Sequence, residues 1–269
     1  MSAVIETNDL PEVTGNDRAR LALEGISKRF GGVRAVDEVS FAVPPKEIRG
    51  IIGPNGAGKT TLFDIIAGAQ RATGGTVMLD GRDVTDSSAS KRARLGVRRT
   101  FQRQQPIGWL SVEDNVLCAL EWRGGGGGMI GDLLALPGRR RIERRRRDEA
   151  QHMLALCGLA DLKQRQASEL SIGQARRLEL ARAVVDEPKL LLLDEPTSGL
   201  EESEVEVFAE IVRDVRHDTS CSVLLIEHDV PFVMALCDQV MVMELGKVIA
   251  EGTPDEVKRD KAVREAYLG

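Results

Sequence analysis

The sequence has no run of about 18 to 20 apolar residues, which is the length that a helix needs to cross a lipid bilayer. Its first residues, Met1 to Arg20, are polar and acidic and contain no apolar core of the kind found in a secretory signal. We therefore expect a chain that does not span a membrane, and we interpret residues 1–20 as a mobile tail.

Cysteine is scarce and follows no recognisable pattern. The sequence has no Cys-x-x-Cys pair, and no group of His and Cys residues has the spacing of a zinc site. The four cysteines are Cys118, Cys157, Cys221 and Cys237. We interpret them as reduced, buried thiols of a cytosolic protein.

The chain also lacks an excess of positive charge. Its net charge is −5, so composition gives no reason to expect nucleic acid as a partner, and we expect none. One local exception is residues 139–147, which include seven arginines in nine positions. Because this run leads into the apolar residues Met153 and Leu154, we interpret it as the solvated or partner-facing side of a helix.

The most informative stretch that is present is Gly53-Pro54-Asn55-Gly56-Ala57-Gly58-Lys59-Thr60-Thr61. It follows an apolar run, 48–52, and precedes a helix-compatible run, 62–67. Strand, glycine-rich loop and helix are the context in which G-x-x-x-x-G-K-[ST] predicts a phosphate site. Glycines allow backbone N–H groups to turn inward, and the helix N-terminus adds partial positive charge.

This loop predicts specific contacts with a nucleotide. We expect Lys59 to reach the β- and γ-phosphates, the Thr60 hydroxyl to bind Mg²⁺, and Thr61 to lie near the α-phosphate. The remaining loop residues expected to contact the nucleotide are Gly53, Asn55, Gly56 and Gly58.

The order of the other segments predicts a mixed α/β architecture, because early antiparallel strands are followed by alternating strands and helices. Strands are predicted at 21–30, 39–43, 48–52, 76–81, 190–193, 222–226, 240–243 and 248–250. Helices are predicted at 112–122, with Ser111 as N-cap, at 174–185, 205–215 and 230–237, and from Thr253 onward. Five consecutive glycines at 124–128 predict a flexible loop.

Two acidic residues follow the apolar strand 190–193. Asp194, at the strand end, is expected to stand beside Mg²⁺ as in other P-loop enzymes. The adjacent Glu195 is the better candidate for chemistry, since it could accept a hydrogen bond from the water that attacks the γ-phosphate. Upstream, Ser171 and Gly173 open the helix at Gln174, and this helix start is a second candidate anion site.

Four segments in this order are similar to the ABC-transporter ATPase family: 53–61, 170–174, 190–200 and the pair Glu227-His228. The similarity covers nearly the whole chain from Leu21 onward. It implies a P-loop ABC ATPase core with a mixed sheet, an antiparallel β subdomain and an inserted helical subdomain at about 103–180, all within one domain at 21–269.

The resemblance also implies roles for individual residues. Phe30 would stack on adenine, and the alternative is a core aromatic beside Gly31-Gly32. Gln102 would contact Mg²⁺ and the attacking water and would mark the entry to the helical subdomain. His228 would contact the γ-phosphate.

In this family the signature motif, here Ser171, Gly173 and Gln174, completes the ATP site of a second subunit. ATP would therefore clamp two ATPase subunits together, and hydrolysis would release them.

Two positions depart from the common pattern. Ile172 stands where glycine is commonest, and we expect binding to survive this change. Glu201 stands where aspartate is usual, which leaves the strength of coupling across the dimer open.

Within the family the chain most resembles the cytoplasmic ATPases of branched-chain amino-acid importers, through residues 30–36, 52–55, 99–102 and 265–269. This implies a peripheral protein on the cytoplasmic face of the membrane. Its partners would be permease subunits, a second ATPase that is a copy or a sister chain, and indirectly a solute-binding protein. Urea importers and lipid-export ATPases have similar tails, and Gln104 to Trp109 are unusual, so the substrate stays open. We expect the surface from Gln104 to Gly128 to dock on the permease.

Other classes fit the sequence less well. A soluble ABC ATPase of DNA repair or translation would have two cassettes, or a long coiled coil between Gln102 and Ser171, where too few residues are available. A module that binds nucleotide without hydrolysis would lack Glu195 or His228. A P-loop GTPase would need an N-K-x-D motif, which is absent.

Overall fold

The structure is a computed structural model that describes residues 19–100, 106–121 and 137–268. Several predictions fall outside these residues: Gln102, Gln104, the loop at 124–128, and the tail at 1–20 except for its last two residues. The predicted docking surface at 104–128 is described only at 106–121. Within the described residues, no helix is both long and apolar enough to cross a membrane.

Ten strands are present in the described part of the chain. They are β1 (Leu21–Phe30), β2 (Val33–Val43), β3 (Ile48–Ile52), β4 (Gly74–Leu79), β5 (Arg82–Asp83), β6 (Val97–Arg99), β7 (Leu190–Asp194), β8 (Ser222–Ile226), β9 (Gln239–Glu244) and β10 (Lys247–Gly252). The helices are α1 (Lys59–Ala67), α2 (Ala89–Arg94), α3 (Val112–Leu120), α4 (Pro137–Leu156), α5 (Ile172–Val184), α6 (Glu202–Thr219), α7 (Val230–Leu236), α8 (Pro254–Arg259) and α9 (Lys261–Leu268), with short 3₁₀ turns at Ala160–Leu162 and Ala167–Glu169.

The strands form two sheets, which confirms the expected mixed α/β architecture. An antiparallel sheet has the order β2-β1-β4-β5, and a larger sheet has the order β10-β9-β3-β8-β7-β6. In the larger sheet β3, β6, β7, β8 and β9 run parallel to one another, and β10 is an edge strand antiparallel to β9. Every residue of β3, β7 and β8 is buried, as expected for parallel strands covered on both faces.

The register of these central strands positions the site. Ile51 in β3 pairs with Ile226 in β8, and Asp194 in β7 pairs with the same Ile226. The three strands therefore end at one edge of the sheet, which is where ligands bind in open parallel sheets. The segments that leave this edge are the glycine-rich loop, Asp194-Glu195 and Glu227-His228.

A helical layer lies between β6 and β7 in the sequence, in the interval where an inserted helical subdomain was predicted. Its core includes Val116 and Leu120 of α3, Leu154 of α4 and Leu178 of α5, all fully buried. Ser111 accepts a hydrogen bond from the Asp114 N–H at 3.0 Å, which confirms it as the N-cap of α3. The helix predicted to reach residue 122 ends at Leu120.

The arginine-rich run lies on α4. Arg144, Arg145 and Arg147 are exposed, and Arg145 forms an ion pair with Glu149 at 2.9 Å, one turn further along the helix. Ala150 and Leu154 on the same helix are buried. The described part of this helix therefore has one charged, solvated side and one side packed on the core.

Several predicted bounds were too short, and three short elements were not predicted. β2 begins at Val33 rather than at residue 39, and α6 spans Glu202–Thr219 rather than 205–215. α2, β5 and β6 were missed because they are short and rich in charge; β5 is Arg82-Asp83 and β6 is Val97-Arg98-Arg99. Arginine is tolerated in this strand because both guanidinium groups pair with carboxylates from other elements, which a local pattern does not reveal.

Candidate active site

The glycine-rich loop joins β3 to α1 and adopts backbone conformations that favour glycine. Gly56 has a φ of 81° and Gly58 a φ of 100°. A Cβ at Gly58 would lie 2.1 Å from the carbonyl oxygen of Ala35, so this segment passes too close to β2 for any side chain. The loop borders a cleft lined by Ala35, Asn55, Gly56, Ala57, Gly58, Lys59, Thr60, Thr61, Glu195 and His228.

Lys59 is held inside the loop. Its Nζ donates hydrogen bonds to the carbonyl oxygens of Gly53 at 2.6 Å and Pro54 at 3.1 Å, and the residue is only 6% exposed. Burial lowers the pKa of Lys59, and the negative charge of Glu195 opposes that shift. The cleft therefore contains a positioned cation above a helix N-terminus, which is an arrangement suited to phosphate.

Asp194 ends β7 as a buried carboxylate. Its Oδ2 accepts a hydrogen bond from Arg99 Nη2 at 2.7 Å, and Arg99 Nη1 donates to Asp64 Oδ1 in α1 at 2.6 Å. Burial disfavours the charge on Arg99, but the hydrogen bonds to the two aspartates outweigh it and raise the pKa of Arg99. Sequence reasoning did not identify Arg99 as part of the site, because its two partners are distant in the sequence.

Glu195 and His228 face each other across the cleft. Nε2 of His228 lies 3.1 Å from Oε1 of Glu195. Glu195 has a φ of 47°, a conformation that is uncommon for a non-glycine residue, and its N–H donates to Ile226 O at 2.9 Å. Such local strain is often found at functional positions. The structure thus brings the predicted base and the predicted γ-phosphate contact together.

Glu227 is a second residue whose contacts sequence reasoning missed. It is 3% exposed and accepts hydrogen bonds from Thr197 N at 2.8 Å, Thr197 Oγ1 at 2.5 Å and His228 N at 2.8 Å. A buried carboxylate needs such compensation. The acidic residue directly before His228 was a signal in the sequence, but its partner Thr197 was not predictable from spacing.

The predicted signature residues lie at the start of α5, where Ser171 is exposed and Gly173 is buried, apart from the phosphate cleft. Ser171 Oγ accepts from Gln174 N at 3.2 Å, and Ser171 N donates to Gln174 Oε1 at 3.0 Å, which forms a capping box. A Cβ at Gly173 would meet the carboxylate of Glu204 at 2.3 Å. Among the described residues that line the phosphate cleft, none of these three appears. Within one chain the structure therefore does not bring Ser171, Gly173 and Gln174 to the phosphate loop.

Phe30 lies at the end of β1. Its side chain is 47% exposed, and the ammonium of Lys28 lies 5.0 Å from the ring centroid. The ring is therefore not a core aromatic and is accessible for stacking.

Comparison with known proteins identifies the family. The sequence model of the ABC transporter family matches residues 36–198, and a model described as branched-chain amino acid ATP-binding cassette transporter matches residues 247–269. The high-affinity branched-chain amino acid transport ATP-binding protein LivG of Salmonella typhimurium is 40% identical over 93% of this chain and 97% of that protein. The lipopolysaccharide export system ATP-binding protein LptB of Escherichia coli is 34% identical over 93% of this chain and 98% of that protein.

Solved structures agree with this result. The crystal structure of an ATP-binding cassette of an ABC transporter in its ADP conformation superposes with a TM-score of 0.80 at 32% identity, covering 94% of this chain and 99% of that chain. The family model covers the phosphate loop and Asp194-Glu195, and the relatives and the solved structure each cover more than nine-tenths of the chain. The chain therefore belongs to the ABC transporter family, as one of its ATP-binding domains.

Proposed function

We propose that this chain binds ATP with Mg²⁺ at the phosphate loop and hydrolyses it to energise uptake of a branched-chain or related amino acid through a membrane permease. The observation that carries the proposal is the cleft in which Lys59, Glu195 and His228 converge on the phosphate loop. A cation, a carboxylate and an imidazole in one cleft supply charge stabilisation and a base for an attacking water.

Each residue has a distinct role in this proposal. The backbone N–H groups of the loop and the ammonium of Lys59 bind the phosphates. Glu195 orients a water toward the γ-phosphate, and His228, 3.1 Å away, holds the carboxylate in place and contacts the γ-phosphate. Phe30 stacks on adenine. Gln102, which lies outside the described residues, is assigned to Mg²⁺ and the water by resemblance alone.

The residues available fit a magnesium ion that is bound mainly through the nucleotide. In the described residues no group of three or more His, Cys, Asp and Glu side chains could hold a metal. Asp194 offers Oδ1, which accepts no hydrogen bond from the described part of the chain, and Thr60 offers a hydroxyl in the cleft. Mg²⁺ is usually held by one or two such oxygens together with substrate phosphates, and it would neutralise charge on the phosphates.

Hydrolysis in this proposal requires a second ATPase subunit, either a copy or a sister chain. Ser171, Gly173 and Gln174 are at the N-terminus of α5, where Ser171 is exposed and Gly173 is buried, and they do not line the phosphate cleft of their own chain. Because Ser171 caps a 13-residue helix, this N-terminus suits a phosphate supplied by another molecule. Two chains facing each other would complete two sites.

Relatives support import over export. LivG, the branched-chain amino acid transport protein, is 40% identical, whereas LptB of lipopolysaccharide export is 34% identical. We accordingly assign the chain to the cytoplasmic face of the membrane, bound to permease subunits through the surface at 104–128 and serving a solute-binding protein indirectly. Residues 21–269 form one ATPase domain with a helical subdomain at about 103–180, and 1–20 form a tail.

Two substitutions test ATP hydrolysis. Glu195→Gln should retain ATP binding and lose turnover, whereas Lys59→Ala should lose both. Glu206→Gln, an exposed acid on α6, is the matched control and should behave like the wild type. Undiminished turnover in Glu195→Gln would refute the assigned base.

Transport needs a separate test. The chain is co-expressed with its permease, and uptake of labelled leucine is compared between the wild type and Glu195→Gln. ATP-dependent uptake that is lost in the variant supports import. ATP hydrolysis that is stimulated by the permease without any amino-acid uptake would favour an exporter or an importer of another solute, such as urea.

A further inference from the structure

The pairing of β7 with β8 ends at the active site. Asp194 pairs with Ile226, and one further backbone bond joins Glu195 N to Ile226 O at 2.9 Å. Beyond this point the two backbones separate, since Glu195 adopts a φ of 47° and Pro196 follows it. The backbone hydrogen bonds between β7 and β8 therefore do not by themselves fix the position of His228 relative to Glu195.

The carboxylate of Glu227 joins the segments that follow β7 and β8, where the backbone pairing has ended. Its Oε1 accepts two hydrogen bonds from Thr197, from the backbone N–H and the hydroxyl, at 2.8 and 2.5 Å. Its Oε2 accepts the N–H of His228 at 2.8 Å. Both Glu227 and Thr197 are buried, so water does not compete strongly for these bonds.

We infer that Glu227 is a positioning residue for hydrolysis: it sets the distance between Glu195 and His228 by joining the segments that follow β7 and β8. This inference rests on the proposed function, because it assumes that the pair acts on a nucleotide. Glu227 itself does not line the cleft, so it acts through His228 and through Thr197, two residues after Glu195.

The segment that Glu227 binds also runs near the signature helix. Thr197 lies two residues before Gly199, and a Cβ at Gly199 would lie 3.8 Å from the side chain of Ile172 at the start of α5.

Glutamine cannot reproduce this arrangement. Its side chain has one acceptor oxygen, and its NH₂ group would face either the Thr197 N–H or the His228 N–H, each of which is itself a donor. One buried N–H would lose its partner, and such a loss typically changes an equilibrium by about 5- to 150-fold. For Glu227→Gln we expect kcat to fall by about tenfold or more, with the Kd for ATP within about twofold of the wild type.

The experiment measures kcat, KM, ATP affinity and Tm for Glu227→Gln, Thr197→Ser and Thr197→Val in the full-length chain. Thr197→Ser keeps both donors and should match the wild type. Thr197→Val removes the hydroxyl and should lower kcat. The control is Glu47→Gln, which removes the charge of a largely buried acid that forms an ion pair with Arg49 at 2.6 Å. Glu47 directly precedes β3, so it lies at the opposite end of this strand from the cleft.

The control separates positioning from general stability. The inference is overturned if the kcat of Glu227→Gln stays within twofold of the wild-type value. It is also overturned if the decrease in kcat per degree of Tm lost is the same for Glu227→Gln and Glu47→Gln. If Glu227→Gln does not fold, the comparison of Thr197→Val with Thr197→Ser decides, and equal kcat values overturn the inference. A wild-type chain without ATPase activity would instead refute the proposed function, which distinguishes the two failures.

Discussion

Arg99 donates a hydrogen bond to Asp194 across 2.7 Å, so the carboxylate proposed to face Mg²⁺ is held by a guanidinium from the neighbouring strand. The other arm of the guanidinium binds Asp64 at 2.6 Å on α1, the helix that begins in the phosphate loop. One buried cation thus links β6, β7 and α1. Because Arg99 occupies one lone pair of Oδ2, Oδ1 of Asp194, which accepts no hydrogen bond from the described residues, is the oxygen better placed to face a metal.

Removing this cation should destabilise the protein. Arg99→Gln leaves two carboxylates without their partner, and breaking a buried ion pair costs about 3–5 kcal/mol. Arg99→Lys keeps the charge but lacks the fork that binds two carboxylates at once, so its loss should be intermediate. Urea unfolding measures both variants.

The matched control is the exposed pair of Arg34 and Asp37, at 2.8 Å. Arg34→Gln should change the free energy of unfolding by less than about 1 kcal/mol. An Arg99→Gln variant as stable as Arg34→Gln would contradict the structural role of Arg99.

Two glycines of the phosphate loop should respond differently to alanine. Both have positive φ, but a Cβ at Gly56 meets nothing within 4 Å, whereas one at Gly58 would lie 2.1 Å from the backbone oxygen of Ala35. Gly56→Ala should cost about 1–2 kcal/mol from backbone strain alone. Gly58→Ala must also push β2 away from the loop, so we expect a markedly lower Tm in thermal unfolding. Equal Tm values for the two variants would contradict this prediction and show that β2 can move away from the loop without a loss of stability.

The sequence was sufficient to predict the segments whose pattern is local. β3 and β8 have the predicted bounds, because apolar residues predominate in both segments. Lys59, Glu195 and His228 were found through motifs and are brought together by the parallel strands. Pairings between distant residues were not predictable: Arg99 with Asp194, and Glu227 with Thr197, depend on which strands become neighbours in the sheet.

Arg92 should be essential for stability although it lies outside the cleft. It is 1% exposed, and its guanidinium donates to the carbonyl oxygens of Ile65 at 2.6 Å and Ile66 at 2.8 Å near the end of α1, and to Thr85 at 2.9 Å. These carbonyl groups near the helix C-terminus have favourable interactions with a cation. Burial lowers the pKa of Arg92, because removing a charged group from water disfavours its charged form.

Arg92→Met should therefore lose about 3 kcal/mol or more, since several buried acceptors lose their donor at once. Arg94→Met, an exposed position on the same helix, should stay within about 0.5 kcal/mol of the wild type. Guanidinium unfolding of both variants provides the comparison. If the apolar Arg92→Met variant were as stable as the wild type, packing rather than hydrogen bonding would hold α1 against α2.

The four cysteines should divide into one reactive thiol and three protected ones. Cys157, Cys221 and Cys237 are buried as expected, but Cys118 on α3 is exposed, so the expectation of a buried thiol is wrong for that residue. Burial raises the pKa of Cys157 to about 12 and raises those of Cys221 and Cys237 as well, so little thiolate forms at pH 8. Since the thiolate is the reacting species, a disulfide reagent should modify a single thiol rapidly in the native protein and all four in guanidinium.

Cys118→Ser should abolish the rapid phase and leave the slow one, which assigns the reactive thiol. More than one rapid equivalent in the native wild type would contradict the burial of the other three.

The same thiol tests the proposed docking surface at 104–128, within which Cys118 lies. If that surface contacts the permease, the rapid modification of Cys118 should slow in the complex, because the thiol is then shielded from the reagent. An unchanged rate in the assembled transporter would exclude Cys118 from the contact and move the docking surface elsewhere.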